Sequence, residues 1–268
     1  MKLQVRHQSV YRYGEPIAYA IQTLRLSPRV HDGLSVFSWR IEANGRSDLP
    51  SFTDGLGNVV HSHSLNREHV SVTFLVEGEV ETSDTGGVVR GGFEPLPPTY
   101  FLRSTALTAA DQSIGDLAAQ QSGAISTLDR LHRLMIGVRE RIDYRIGVTG
   151  TETSAGDALR SGAGVCQDHS HVFIAAARVL GIPARYVGGY LWTGRPESEA
   201  SHAWAEAYVE NLGWVGFDPS NRICPTEAYI RSAIGLDYAS AAPIRGVRRG
   251  NASERLAVSI SVSADSNQ

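Results

Sequence analysis

The sequence predicts an α+β protein in two parts: an N-terminal β-sandwich-like domain over 1–98, then a domain over 99–268 in which helices precede strands and a C-terminal β tail. Three observations predict it. Apolar and polar residues alternate through the first hundred positions, the Pro-rich connector Glu94-Pro95-Leu96-Pro97-Pro98 follows, and beyond it the apolar period lengthens from two to three or four.

Leu3, Val5, Tyr11 and Tyr13 share one parity, as do Phe37, Trp39 and Ile41, and again Val70, Val72, Phe74 and Val76; each set predicts a strand with one buried face. Asp54-Gly55-Leu56-Gly57-Asn58 and Gly86-Gly87 carry the residues of turns between such runs. Past the connector, Ile125, Leu128, Leu131, Leu134, Val138 and Ile142 predict a long amphipathic helix. A shorter helix is expected over 154–160, capped by Thr153 or Ser154 and stopped by Ser161-Gly162-Ala163-Gly164. Cys166 opens a further helix that reaches Leu180, where Gly181-Ile182-Pro183 ends it. Residues 184–191, 202–209 and 214–217 read as strands, the last two joined by the turn Glu210-Asn211-Leu212-Gly213, and 256–263 as one more. The sequence contains no internal repeat.

With 42% hydrophobic and 20% charged residues, the chain is excluded from the disordered class. A net charge of -3 and a pI near 6.3 argue against a nucleic-acid partner, because phosphate backbones demand a basic surplus. The one basic cluster, Arg245, Arg248 and Arg249, reads as a solvated loop or the guard of an edge strand. The best apolar run, 172–180, already contains Arg178 and is far short of the roughly 18 to 20 residues of a spanning helix, so no membrane partner is expected. Residues 1–16 scatter Lys2, Arg6 and Arg12 among polar residues in place of a signal-peptide core, and a cytoplasmic location is the expectation. Two cysteines, Cys166 and Cys224, are too few for a disulfide framework and form no CxxC pair, so each is read as a free thiol. Composition leaves the oligomeric state open.

A cysteine placed after a glycine-rich loop and at a helix start has its sulfur near unpaired backbone N–H groups and the positive end of the helix dipole, both of which favour thiolate. Cys166 has that setting, and its own N–H is placed to meet an oxyanion. His202, in Ser201-His202-Ala203-Trp204, supplies a base for a thiolate–imidazolium pair. Asp218, ending the next strand of the hairpin, is the expected acceptor that orients the imidazole. Gln167, Tyr144 and Tyr190 are candidates for a second oxyanion donor, and Trp204 and Trp214 either shield the imidazole or simply pack the strands. Cys224, beside a proline and without such partners, reads as an inert thiol. Asp168, His169 and His171 with His202 suggest a metal site, but positions two apart on a helix diverge. His61, His63 and His69 lack a cysteine or acidic pair to complete a set, and no acidic loop of calcium type occurs, so no metal or other cofactor is expected.

The run Gly162-Ala163-Gly164-Val165-Cys166-Gln167-Asp168, followed by Gly181-Ile182-Pro183-Ala184-Arg185-Tyr186-Val187, His202-Ala203-Trp204-Ala205-Glu206 and Gly213-Trp214 with Phe217-Asp218-Pro219, resembles the transglutaminase-like superfamily. Tyr11-Arg12-Tyr13, Leu24-Arg25-Leu26-Ser27-Pro28 and Pro243-Ile244-Arg245-Gly246 are similar to a bacterial, cysteine-protease-like branch in which a β-domain precedes the core. The resemblance implies a papain-like core with Cys166 as nucleophile, His202 as general base and acid, and Asp218 as orienter. It implies acyl transfer from an amide of a peptide or protein substrate through a thioester. Water is the expected acceptor, which makes a cysteine peptidase or amidase, because the segment 192–201 that could cover the site is short and carries Arg195, Glu197, Ser198 and Glu199. The alternatives are a protein-glutamine transglutaminase, with an amine acceptor, and a non-catalytic binding module of the same fold.

Overall fold

The computed structural model describes residues 1–194 and 201–264. Seven strands come first: β1 (Lys2–Ile17), β2 (Tyr19–Leu24), β3 (Leu34–Ala43), β4 (Ser51–Thr53), β5 (Val59–Leu65), β6 (His69–Thr82) and β7 (Val88–Val89). Helices α1 (Gln112–Ala119) and α2 (Thr127–Arg141), the short strand β8 (Asp143–Tyr144), α3 (Ala155–Ser161), β9 (Ala163–Gly164) and α4 (Cys166–Val179) follow. The chain continues with β10 (Ala184–Leu191), β11 (Ser201–Val209), β12 (Gly213–Phe217), β13 (Tyr229–Gly235), the single turn α5 (Tyr238–Ala241), β14 (Ile244–Arg249) and β15 (Glu254–Ala264).

The β-domain holds two four-stranded antiparallel sheets, ordered β15-β1-β6-β3 and β14-β2-β5-β4. Between them Ile17, Leu24, Ile41, Val72, Phe74 and Val76 form one apolar core, the physical consequence of period-two alternation in each strand. Parity fails in two places. Phe37 is 56% exposed because it falls at a register shift between Val36 and Ser38, where the extra residue turns outward. Val70 is 54% exposed at the start of β6, where pairing with β1 jumps from Arg12 to Ile17.

The second part packs α4 against a five-stranded antiparallel sheet ordered β13-β10-β11-β12-β7. On β11 the residues Ala203, Ala205 and Ala207 face Val172, Phe173 and Ala176 of α4, and their small size lets helix and sheet approach closely. Larger side chains alternate with them: Trp204 packs on the opposite side with Phe101, Trp214 and Tyr229. Leu131, Leu134 and Val138 of α2, with Ile114 and Leu117 of α1 and Ala158 of α3, complete the layer around α4. Ser154, not Thr153, caps α3, accepting from the Asp157 N–H, and Gly162 ends it in the left-handed region at φ 66°. Helix α2 starts at Thr127 under a Ser126 cap, so Ile125, expected on its buried face, lies outside the helix and is 92% exposed. Among the described residues no helix is long and apolar enough to cross a membrane.

The sequence division at 98/99 is not a division between sheets. β15 pairs with β1 over its whole length, β14 pairs with β2, and β7 from the first part extends the core sheet beside β12. The C-terminal tail therefore completes the N-terminal sandwich. β14 is an edge strand with Arg245 and Arg249 exposed, while Arg248 turns inward over the Tyr13 ring and toward Glu254.

Candidate active site

Helix α4 begins at Cys166 because the preceding loop is tied down from several sides. Asp168 is buried, and its Oδ2 accepts from the Val165 N–H at 2.8 Å and the Thr149 hydroxyl at 2.6 Å, which closes the first turn. Gly164 is required there, since a Cβ at that position would lie 2.6 Å from Asp168 Oδ2 and 2.7 Å from its Cβ. His169 sets both ring nitrogens against backbone carbonyls, Nδ1 at 2.8 Å from Val165 O and Nε2 at 3.0 Å from Ile142 O, anchoring the helix start to the end of α2. Cys166, half-buried, is thus the first residue of a fixed helix, where backbone N–H groups lack intrahelical acceptors.

His202 stands second in β11, and Asp218 follows directly on β12, so the antiparallel pairing of the two strands brings them together. His202 Nε2 lies 2.6 Å from Asp218 Oδ2, and Cys166 stands close enough to the same ring to act on its protonation. Burial alone would lower the imidazole pKa, but the hydrogen bonds to Asp218 and Cys166 and the charges of both outweigh it and raise His202 to about 10. Burial alone would raise Asp218, and the hydrogen bond and charge of His202, helped by Tyr229 and Asn221, instead hold it below the usual carboxylate range. The arrangement favours a protonated imidazole between two groups able to carry negative charge, which is the setting of an activated cysteine.

Two contributors went unnoticed in the sequence. Asn221 gives its backbone N–H to Asp218 Oδ1 at 3.2 Å and its Nδ2 to Oδ2 at 2.8 Å, and Tyr229 donates its hydroxyl to Oδ2 at 2.7 Å. The turn Asp218-Pro219-Ser220-Asn221 carried a signal for the first, a carboxylate accepting from the backbone three residues on. Tyr229 carried none, because only the fold returns β13 to this point. Trp204 stacks on the His202 ring, 6.3 Å between centroids at 23°, and meets Tyr229 edge-on.

The remaining candidates divide. Tyr144 pairs through β8 with Gly164 of the cysteine loop and stacks on His169. Gln167 turns its amide to the Thr151 carbonyl at 3.3 Å and holds the neighbouring loop. Tyr190 is a correction: its hydroxyl bonds His7 Nδ1 at 3.0 Å deep between the two domains, a contact set by pairing across distant segments, so it is no oxyanion donor. Trp214 takes the second of its two expected roles and packs the strands, clustering with Phe101, Val187 and Trp204 while its ring covers the Arg185 guanidinium at 3.8 Å. Arg195, Glu197, Ser198 and Glu199 lie outside the described residues. Among the described residues no group of three or more His, Cys, Asp or Glu is arranged to hold a metal ion; His171 Nε2 accepts from the Tyr238 N–H, and His63 Nδ1 meets Gln22 Oε1. Burial, then the charge of Asp84, pushes the Cys224 thiol up, in keeping with an inert cysteine.

Residues 115–219 match the transglutaminase-like superfamily core and residues 3–81 the bacterial transglutaminase-like N-terminal region, together more than two thirds of the chain. The chain belongs to the transglutaminase-like superfamily. An uncharacterized protein of Mycobacterium leprae is 29% identical, over 97% of this chain and 98% of its own. Another, from Mycobacterium tuberculosis H37Rv, is 28% identical over 97% of this chain and 91% of its own. Among solved structures, a candidate cysteine protease from Cytophaga hutchinsonii superposes with a TM-score of 0.78 at 22% identity, over 100% of this chain and 92% of its own. That likeness shares the whole transglutaminase-like fold, β-domain included.

Proposed function

We propose that this superfamily member is a cysteine-dependent hydrolase of amide bonds in peptides or proteins. The observation that carries the reading is the connected line Cys166–His202–Asp218, with the imidazole held between the two. In the proposed reaction the Cys166 thiolate attacks the amide carbonyl, and the Cys166 N–H supports the oxyanion. His202 then delivers its proton to the departing amine as the C–N bond breaks and the thioester remains. His202, now neutral, takes a proton from water as its oxygen attacks the thioester, and the thiolate leaves with the imidazolium restored. Asp218, charged and fixed by Tyr229 and Asn221, stabilises each imidazolium stage. One feature supports water as the acceptor: Cys166 is only half-buried.

The test is a partition experiment. A peptide library, glutamine-containing members included, is incubated with the protein, a labelled primary amine at millimolar concentration and a Cys166→Ala control. Free acid in excess over amine-linked product is the expected result. Dominance of the amine-linked product would replace hydrolysis by transglutamination, which positioning of an amine could bring about even against bulk water. Formation of neither product, with Cys166 still alkylated rapidly, would remove amides as the substrate class.

A further inference from the structure

The two sheets of the β-domain end in four edge strands, and three of them are guarded against pairing with another chain. β3 carries a register break between Val36 and Ser38 and the charges of Arg40 and Glu42. β14 carries Arg245, Arg248 and Arg249, and β4 is only three residues long. The fourth edge, β15, is open. Its 11 residues pair with β1 in an unbroken register from Tyr13 opposite Glu254 to Leu3 opposite Ala264, and among the described residues no strand lies against its other side. It holds no proline, glycine, lysine or bulge, and its charges, Glu254 and Arg255, are confined to one end.

The side chains of β15 leave apolar surface uncovered along this edge. Leu256, Val258, Ile260 and Val262 stand opposite Tyr11, Ser9, His7 and Val5, on the side of the sheet where the last three of those β1 residues are buried. Val262 is buried and Ile260 half-buried, but Leu256 and Val258 are each 51% exposed. On the other side stand Ala257, Ser259, Ser261 and Ser263, all exposed and all small. Unpaired backbone N–H and C=O groups flanked by half-covered apolar side chains form a template for one more strand.

The strand is complementary to itself. Directly opposed residues of an antiparallel pair share a face, and a two-fold axis normal to the sheet keeps every residue on its own face. Only residues of equal parity can then oppose, so the axis must pass beside a single residue. Ser259 is the midpoint of Glu254–Ala264, and an axis there overlaps the whole strand. Leu256 then meets Val262 of the second copy and Val258 meets Ile260, which closes the apolar face. On the other parity Ala257 meets Ser261 and Ser259 meets its own copy, while Glu254 and Arg255 meet Ala264 and Ser263, so no like charges are opposed. β14 flanks the same side in the other layer, where it shares a cavity of about 290 Å³ with Tyr11, Tyr13 and Glu254. A strand of this length at about 3.3 Å per residue makes an edge about 36 Å long, and two sheets about 10 Å apart with their side chains make it about 20 Å tall. The resulting area, about 700 Å² per copy, approaches the roughly 800 Å² per partner of a stable dimer.

We propose that β15 is a dimerisation edge, through which a second copy of this chain pairs antiparallel about a two-fold axis at Ser259. The two four-stranded sheets become one continuous sheet across both β-domains. Each copy spends its open edge on the other and the remaining edges are guarded, so assembly closes at two.

The test reads mass first and register second, and neither depends on any activity. Sedimentation equilibrium of the full chain, from low micromolar concentration upward, should give a species of twice the 29.0 kDa chain mass. Ser259 is exposed in the single chain, so Ser259→Lys and Ser259→Glu leave its packing alone. Each variant by itself opposes two like charges across the axis and should weaken dimerisation by at least about tenfold. An equimolar mixture opposes Lys to Glu and should recover the dimer as the mixed species, because residue 259 faces only its own copy. Far-ultraviolet circular dichroism and the rate of Cys166 alkylation, both expected to match the native chain, separate lost pairing from lost folding. A native chain that stays at 29.0 kDa throughout, a mass above the dimer, a dimer that survives both substitutions, or a mixture that remains monomeric would overturn the proposal.

Discussion

Replacing Asp218 by Asn separates charge from geometry at the imidazole. Asp218 Oδ2 receives His202 Nε2, the Tyr229 hydroxyl and Asn221 Nδ2, whereas Oδ1 receives only the Asn221 backbone N–H. An amide oxygen at the Oδ2 position keeps the first three contacts, and its NH₂ group opposes a single N–H. The ring stays held, and what disappears is a full negative charge 2.6 Å from Nε2. A hydrogen bond to a charged group contributes about 1.5–3 kcal/mol, and about 1.4 kcal/mol corresponds to one pKa unit, so the imidazolium should lose its proton about 1–2 pH units earlier. In the native chain His202 is raised to about 10, above its ordinary 6.5. Its contribution to stability is therefore complete below about 6.5 and is lost as pH rises from there through about 10; in the Asp218→Asn variant the same loss should be complete by about 8–9. Imidazole C–H resonances titrated from pH 5 to 11 in the two proteins measure the shift directly. A midpoint that stays within a few tenths of a unit would show that the carboxylate charge does not hold the imidazolium, and the role assigned to Asp218 would fall with it.

Iodoacetamide at pH 6 should label Cys166 well before Cys224, whose thiol burial pushes up, and His202→Ala should slow the first reaction; peptide mapping that finds equal labelling would count against an activated Cys166. Gly164→Ala forces Asp168 away from the α4 start, and both stability and Cys166 alkylation rate should drop. Gly115→Ala, in open space on α1, should stabilise by about 0.5–1 kcal/mol, so urea denaturation of the pair tests whether the close approach at Gly164 is what matters. Burial lowers His7, His31 and His171 each to about 4, so their contribution to stability is complete above about 6.5 and is lost as pH falls from there toward 4. Each adds a slope approaching about 1.4 kcal/mol per pH unit in that window, and urea midpoints that stay flat between pH 7 and 5 would contradict their neutral burial.

Strand parity in 3–13 and 70–76, the helix ends at Gly162 and Gly181, and the setting of Cys166 after a glycine loop were legible because each depends on a few neighbouring residues. His202 and Asp218 were legible for a related reason: a hairpin turn lies between them, so local pairing suffices to bring them together. Other features depend on contacts whose partners are far apart in the chain. β15 returns to β1 across the whole chain, and the Tyr190 hydroxyl meets His7 across 183 positions, while Tyr229, only 11 positions from Asp218, reaches it through the irregular segment before β13, which has no turn pattern to announce the contact. Arg185, Glu206 and Arg231 read in one dimension as ordinary solvated charges, since a charged side chain is exposed unless something opposite pairs with it. The partners came from three strands and the Pro-rich connector, and only their convergence made burial of those charges tolerable. Local stereochemistry thus determined the elements and the nucleophile's setting, while the packing of α4 and the strands of the core sheet against one another decided which side chains hold the imidazole in place.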